Sequence, residues 1–418
     1  MQKAADVMPI GGTVHARGGT YAGFVVRRSG MPGDPNKFIA YPGEAVTIRG
    51  DSTRKSPIYI HDWRGEVTDI TVKGFTIENA QGGFGKEGGI FVQNGGRILI
   101  RDNVIRNNKS FGIYLYQAYG VTVDANEITA NEVGIYVVHE AQNSRFTNNR
   151  VHHNAAMSIN TPDIALDDYG ATGMAFSSTV GPVLVKGNRI WGHRAPSYDY
   201  DWDGSGLEIW KASGVEITEN ILWDNENVLE TGSDGSAGCN GNQFTRNVAY
   251  GGAPPEGRSF GVLLRCAKDM LVANNTLYDF HMYVWLITHY TGAHGHSIEG
   301  LRFQNNISVA ARTVDQAYSI GANIPASVQM DHNLAFNTSG GWIASVSGRG
   351  ATKSLATMTS WTGLDAGSLQ ADPGFITGGA PLQIGADSPA VDRGRIIPGT
   401  TDGFVGVAPD IGRYEVGR

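Results

Sequence analysis

The chain has 418 residues, 57 of them Gly, with 17% charged and 41% hydrophobic residues; it is long enough to bury a sizeable core, and its composition points to many short strands joined by tight turns rather than to helices. A formal net charge of −7 argues against a polyanion-binding surface spread over the whole protein, so no nucleic acid partner is expected. No apolar run reaches the roughly 18 residues of a membrane span, so no membrane partner is expected either, and the opening "MQKAADVMPIGG" lacks the regions of a secretion signal.

From residue 89 onward, short apolar stretches begin at or near a glycine: "GIFVQ" (89–93), "GIYLYQ" (112–117), "GIYVVH" (134–139), "GMAFSS" (173–178), "GLEIW" (206–210), "NVLETG" (227–232), "GVLLRC" (261–266) and "YVWLIT" (283–288). Between them an asparagine recurs ahead of apolar residues, at Asn103, Asn126, Asn149, Asn188, Asn220, Asn247, Asn275, Asn306 and Asn333. The intervals are 23, 23, 39, 32, 27, 28, 31 and 27 residues, a basic unit that insertions lengthen. Strand alternation sends one set of side chains inward and the next outward, and the Asn suits a turn where left-handed backbone and a stack of amide hydrogen bonds are useful. The pattern predicts an all-β fold, a single-stranded parallel β-helix of about ten or more coils, with a cap at each end because one coil cannot bury its apolar face alone.

Aligning these stretches sets up rows of outward positions. One row reads Phe91, Tyr114, Tyr136, Ala175, Glu208, Glu230, Leu263 and Trp285; the next reads Gln93, Tyr116, Val138, Ser177, Trp210, Gly232, Arg265 and Ile287. Leu207 and Leu229 face the core, so Glu208 and Glu230 face out, one coil apart. Strand spacing would hold their carboxyls roughly 5 Å apart, close enough for one to stay protonated while the other ionises.

The two longest intervals precede these coils, so "AAMSINTPDIALDDYGAT" (155–172) and "RAPSYDYDWDGS" (194–205) are expected to stand as walls beside the same face. Asp163, Asp167, Asp168 and Asp203 are then candidate substrate contacts. Tyr114, Tyr136, Trp210 and Trp285 are candidate platforms for a sugar ring, with Lys211 and His289 at the margin. Arg265 is placed to hold Glu230 ionised or to grip a substrate acid group. His152–His153 lie in a turn away from the row. Cys239 and Cys266, too few for a disulfide framework, are read as unpaired thiols.

The segment from Gly11 to Asp51 resembles the opening coils of secreted right-handed β-helix proteins that act on carbohydrates. "DPGF" (372–375), "SPAVD" (388–392) and "DIGRYE" (410–415) resemble their closing segment. The resemblance implies right-handed coiling and one continuous domain: cap and first coils over 1–50, the body with the active face over 51–345, and a closing segment over 346–418. It also implies a secreted or periplasmic monomer with a carbohydrate substrate.

The stretch 206–235 resembles the catalytic coils of β-helical xylosidases among retaining glycoside hydrolases. That resemblance implies Glu208 as nucleophile and Glu230 as acid/base with no cofactor, although the first acid sits nearer the glycine than in that family and Glu replaces its usual Asp. A second resemblance, to calcium-dependent β-helical pectate lyases, implies Asp201, Asp203, Glu226 and Glu230 as calcium ligands with Arg265 or Lys211 as base. The third expectation is a non-catalytic carbohydrate-binding solenoid. Hydrolysis is the leading one.

Overall fold

The computed structural model describes residues 1–51, 56–82, 87–163, 166–235, 238–251, 259–289 and 297–417. It divides into two compact units, Met1–Glu208 and Ile209–Arg418. No helix among the described residues is long and apolar enough to cross a membrane.

In the first unit the apolar positions of successive coils fall on one another in parallel register. Ile58, Ile90, Ile113, Ile135 and Met174 form one column. A second, from the opposing sheet, holds Ile77, Ile105, Ile128, Val151 and Ile190. Every member of both columns is fully buried, and burial of such a side chain stabilises by roughly 1.5–3 kcal/mol. At the amino-terminal end, helix Gln2–Val7 is fixed by the Gln2 amide, which donates to Val25 O at 3.1 Å and accepts from Val25 N at 2.9 Å.

The recurring asparagines form the expected ladder. Asn103 N and Nδ2 both donate to Asn126 Oδ1 at 3.0 Å, and Asn126 repeats the arrangement on Asn149, as Asn149 does on Asn188. The left-handed residue is not the asparagine itself but its predecessor: Asp102, Ala125, Asn148 and Gly187 carry φ of 55°, 54°, 55° and 68°. That twist turns the following carboxamide inward. A second ladder, Asn108, Asn131 and Asn154, runs along the next turn of the same coils.

In the second unit an asparagine ladder runs through Asn220, Asn247, Asn275, Asn306 and Asn333. The core column there is Leu229, Val262, Trp285, Tyr318 and Ala344, all fully buried. Trp285 is therefore a core residue, not an outward platform, and its Nε1 donates to Ser308 Oγ at 2.8 Å. Leu263 pairs with Leu286 and Leu264 with Ile287, one residue away from the alignment expected from sequence. The strand Tyr283–Ile287 has no glycine to mark its start, and a one-residue slip exchanges the inward and outward sets.

The thiol reading of the cysteines is also overturned: Cys239 and Cys266 form a disulfide. Their separation of 27 residues equals the local coil interval from Asn220 to Asn247, so they occupy equivalent places in consecutive coils. The bridge between Asn240 and Lys268 brings the two turns together.

The closing segment packs on the flank of this unit. Ile384, Ala390 and Ile411 join Ile307, Val309 and Leu334 in one cluster. Its motifs are hydrogen-bonding devices. Asp372 accepts from Gly374 N at 2.9 Å, Ser388 Oγ donates to Pro373 O at 2.6 Å, and Asp410 accepts from Asp392 N at 2.8 Å and Val416 N at 2.7 Å.

The ladder ends on Asp365, which accepts from Asn333 Nδ2 at 2.8 Å and Ser368 Oγ at 2.5 Å. Its Oδ2 is buried without a hydrogen-bond partner among the described residues. Burial pushes its carboxyl up to about 6, against the opposing hydrogen bonds from Ser368 and Asn333. A carboxyl raised in this way contributes stability below its unfolded value that is lost as pH rises through about 6. Asp365→Asn keeps the accepting oxygen and removes the charge. We expect it to unfold about 1–3 kcal/mol harder than wild type at pH 8, with the gap closing by pH 4, in parallel thermal or urea titrations. A gap that does not change with pH would refute this origin.

Candidate active face

Glu208 closes the first unit, on the strand Ser205–Trp210. Leu207 is fully buried, and the half-buried carboxylate faces out. The two wall segments both fold as antiparallel hairpins, Met157–Ile159 with Tyr169–Gly170 and Ala195–Ser197 with Asp201–Asp203.

Asp168 ties these hairpins together. It is buried, and it accepts from Thr161 N at 2.8 Å, Ser197 Oγ at 2.7 Å, Tyr198 N at 2.8 Å and Asp199 N at 3.0 Å. Burial alone would raise its carboxyl, but the bonds from Ser197 and the three backbone groups outweigh it and hold the carboxyl below its ordinary value. Asp199 Oδ2 reciprocates by accepting from Asp167 N and Asp168 N, each at 2.9 Å. Asp168 is thus a clasp between loops rather than an open substrate contact. Asp163 and Asp167 are exposed, each 3.4 Å from Thr161 Oγ1. Oxygens of Asp167, Asp168 and Asp199 lie within 4.8 Å of one another, but the bonds just described already engage Asp168 and Asp199.

The clasp sets the next residue, Tyr169, against the outward row. Its ring lies 6.2 Å from that of Tyr136. Its phenol is pushed well above the ordinary value, first by burial and then by the charge of the Glu208 carboxylate; Asp203 adds a smaller push. Tyr136, half-buried, is raised by burial and by the same carboxylate. Tyr114 departs from expectation. It is buried at 4% exposure and stacks at 4.6 Å on Phe91, which stacks at 4.9 Å on Tyr59, so it is a rung in an aromatic column and not a platform. Asp203 Oδ1 accepts from Gly204 N at 2.7 Å, and Asp201 is exposed.

Glu230 belongs to the second unit, on the strand Asn227–Gly232. Leu229 and Thr231 are fully buried on either side of it. Arg265 Nη1 sits 2.6 Å from Glu230 Oε1. The backbone of Arg265 is anchored: Thr231 Oγ1 accepts from Arg265 N at 3.0 Å and Cys266 N at 3.1 Å, and Cys266 is held by its disulfide. Lys211 Nζ pairs with Asp234 at 2.9 Å. Glu226 is buried at 2% exposure.

Trp210 is 39% exposed and packs against Gly232, where an added Cβ would come within 2.6 Å of its ring. It is the sequence-derived platform that is offered to solvent in the second unit. His289 is half-buried and its Nδ1 accepts from Ile298 N at 3.5 Å, a bracing contact rather than an open one.

Sequence reasoning missed Tyr169, Asp199 and Thr231. Tyr169 lies in a lengthened coil, where the repeat gives no register. Thr231 faces the core, in a position the outward rows pass over.

Residues 40–222 match the family model described as right handed beta helix region. Of the solved structures that resemble the chain, XylC in complex with xylose aligns at a TM-score of 0.58 and 13% identity, over 83% of this chain and 82% of that one. An alginate lyase from Paenibacillus sp. str. FPU-7 aligns at 0.55 and 15% identity, over 70% of this chain and 96% of that one. The fold is a right-handed parallel β-helix. No curated protein matches the sequence. Identities this low speak for the fold alone, and chemistry has to be argued from the residues.

Proposed function

We propose that this β-helix hydrolyses glycosidic bonds in a poly- or oligosaccharide with retention at the anomeric carbon, using Glu208 and Glu230 as its two acids. The carrying observation is that two outward glutamates stand 22 residues, or one coil, apart in the repeat, and that Arg265 Nη1 lies 2.6 Å from Glu230 Oε1. One-coil spacing suits retention, in which the carboxyls stand about 5–5.5 Å apart.

A guanidinium at 2.6 Å gives Glu230 a charge-assisted hydrogen-bond partner, which suits the nucleophile. Glu208, flanked by phenols, then protonates the leaving oxygen and later deprotonates the attacking water. This order is the reverse of the one the xylosidase resemblance implies. Trp210 supplies a flat face for a sugar ring. The similar folds include one protein with xylose bound and one alginate lyase, which is consistent with a carbohydrate substrate. The disulfide fits an oxidising compartment, and the reading includes secretion or periplasmic export as a monomer that needs no metal.

The test is a panel of neutral and uronic polysaccharides, followed for new reducing ends and for the ultraviolet absorbance of unsaturated uronides. Reducing ends without absorbance, in product of retained configuration, are expected. Absorbance that a chelator abolishes would instead establish calcium-assisted elimination, with Asp201, Asp203, Glu226 and Glu230 as the ligand set. Binding without product would leave a carbohydrate-binding solenoid.

A further inference from the structure

We propose that the clasped insertions present Tyr198 and Tyr200 as an aromatic wall that binds a neutral saccharide unit of the substrate chain and turns polyuronates away; this rests on the reading of the face as a glycan-cleaving site. A hairpin inserted into a solenoid coil has no neighbour in the repeat to fix it. Here Asp168 receives donors from both insertions, Thr161 from one and Ser197, Tyr198 and Asp199 from the other. Asp199 returns two bonds to the first. Asn160 adds a further pair, donating to Pro196 O at 3.2 Å and accepting from Tyr198 N at 3.1 Å. Tyr200 N donates to Ser197 Oγ at 3.2 Å, and the Tyr200 hydroxyl donates across to Leu166 O at 3.2 Å.

Every backbone N–H from Tyr198 to Tyr200 thus has an acceptor, yet the rings on this fixed turn stand in water. Tyr198 is 66% exposed and Tyr200 47%. The Tyr198 side chain enters no hydrogen bond or ring contact among the described residues. Large rings already held in place lose little freedom when a ligand stacks on them, and a flat apolar face suits a sugar. The stem has three residue pairs, Ala195 with Asp203, Pro196 with Trp202 and Ser197 with Asp201, so the tip stands about 10 Å from its base. From that base the chain runs five residues to Glu208, and the other insertion sets the Tyr169 ring against Tyr136 of the outward row. The wall therefore belongs beside the face and meets a neighbouring unit of the glycan, not the bond that breaks.

Charge selects the sugar. Segments 155–172 and 194–205 carry six aspartates and one basic residue, Arg194, a net charge of −5. Asp163, Asp167 and Asp201 are exposed. A uronate stacked at the tip would bring its carboxylate within about a Debye length, ~8 Å at physiological salt, of the adjoining acids. The hydroxyls of a neutral sugar can instead donate to those carboxylates. The same charge opposes a second copy of the chain, which would bring an equal −5 against it.

Affinity electrophoresis tests the wall in Glu230→Gln, where substrate is spared, with Tyr198→Ala, Tyr200→Ala or Tyr200→Phe added, in gels holding xylan, mannan, glucan, polygalacturonate or alginate with a chelator. At least one neutral polymer should retard the parent, and its Kd should rise about fivefold or more in each Ala variant. Both polyuronates should leave migration unchanged. Tyr200→Phe, which keeps the ring and drops the bond to Leu166 O, should still bind; a loss there equal to that in Tyr200→Ala would put the effect in the tie and overturn the platform. Thermal unfolding should move little in Tyr198→Ala.

Retardation by a neutral polymer that the tyrosine variants leave untouched, or retardation by none, would overturn the wall. Retardation by a polyuronate would overturn the choice of sugar. A dimer in light scattering that Tyr198→Ala dissociates would give the surface to a second copy and overturn it too. Ring-dependent retardation by a polymer from which the wild type releases no reducing ends would instead sink the glycosidase reading while leaving the wall standing.

Discussion

Glu230→Gln should abolish hydrolysis, with kcat falling by about 10³–10⁵-fold, and Glu208→Gln should cost about 10²–10⁴-fold on substrates with poor leaving groups. The asymmetry follows from the roles. An amide cannot form the glycosyl-enzyme bond at all, whereas loss of the proton donor is partly forgiven when the leaving group is already acidic, so an activated aryl glycoside should recover much of the Glu208→Gln deficit. Both side chains are half-buried at most and face outward, so thermal unfolding should shift little in either variant. Arg265 keeps an amide oxygen to bond in Glu230→Gln.

Azide separates the roles further. With Glu208→Ala it should restore turnover and give a glycosyl azide of retained configuration; with Glu230→Ala any azide product should be inverted. Those outcomes exchanged would restore the order that the xylosidase resemblance implies. Full activity in either Gln variant would end the two-glutamate assignment. The double variant should be no worse than Glu230→Gln alone, because groups that act in one step are not additive.

How far the sequence could be read depended on whether a marker fixed the register. Where a glycine opened the strand and an asparagine closed the turn, the expected rows are the observed ones: Phe91, Tyr114, Tyr136 and Ala175 pair in series, and so do Gln93, Tyr116, Val138 and Ser177. Where the glycine was missing, at Tyr283, the alignment slipped by one and Trp285 changed sides. Facing outward also did not mean being open to solvent. Tyr114 points away from the core yet is sealed by Phe91 and Phe111, because aromatic residues stacked from coil to coil cover one another.

The disulfide was legible in principle, since 27 residues is the coil length where the cysteines lie; counting cysteines without the repeat hid it. The clasp was not legible. Asp168 looks like any acid in an acidic loop until the second hairpin supplies three of its four donors, and no period in the sequence says that the two loops meet. Glu208 and Glu230 could be named because each follows a leucine that must be inside. Tyr169 could not, because nothing in its own coil says which way it points.

Asn126→Ala should be the most damaging single truncation among the ladder positions described for the first unit, lowering unfolding free energy by about 3–5 kcal/mol. Asn126 is 1% exposed. Its Oδ1 accepts from Asn103 N and Nδ2, its Nδ2 donates to Ile100 O at 2.9 Å, Asp124 O at 3.1 Å and Asn149 Oδ1 at 3.1 Å. Alanine removes every one of these bonds and leaves buried donors of one coil and acceptors of another without their partner, each at a cost of about 1–3 kcal/mol before relaxation. Because a solenoid is stabilised through its nearest-neighbour interfaces, the loss falls on two of them at once. Arg145→Ala, on an exposed position of the neighbouring coil, should stay within about 0.5 kcal/mol of wild type.

Asn126→Asp tests the same geometry by charge. It keeps the accepting oxygen for Asn103 but turns a second oxygen toward three acceptors, a setting that raises a carboxyl's folded value. Its stability deficit relative to wild type should therefore be largest near pH 8 and shrink toward pH 4, as the group gains a proton it can donate to Ile100 O or Asn149 Oδ1. Urea unfolding of the four proteins at both pH values reads all of this. A pH-independent deficit in Asn126→Asp would show that the ladder carboxamide is not donating along the stack.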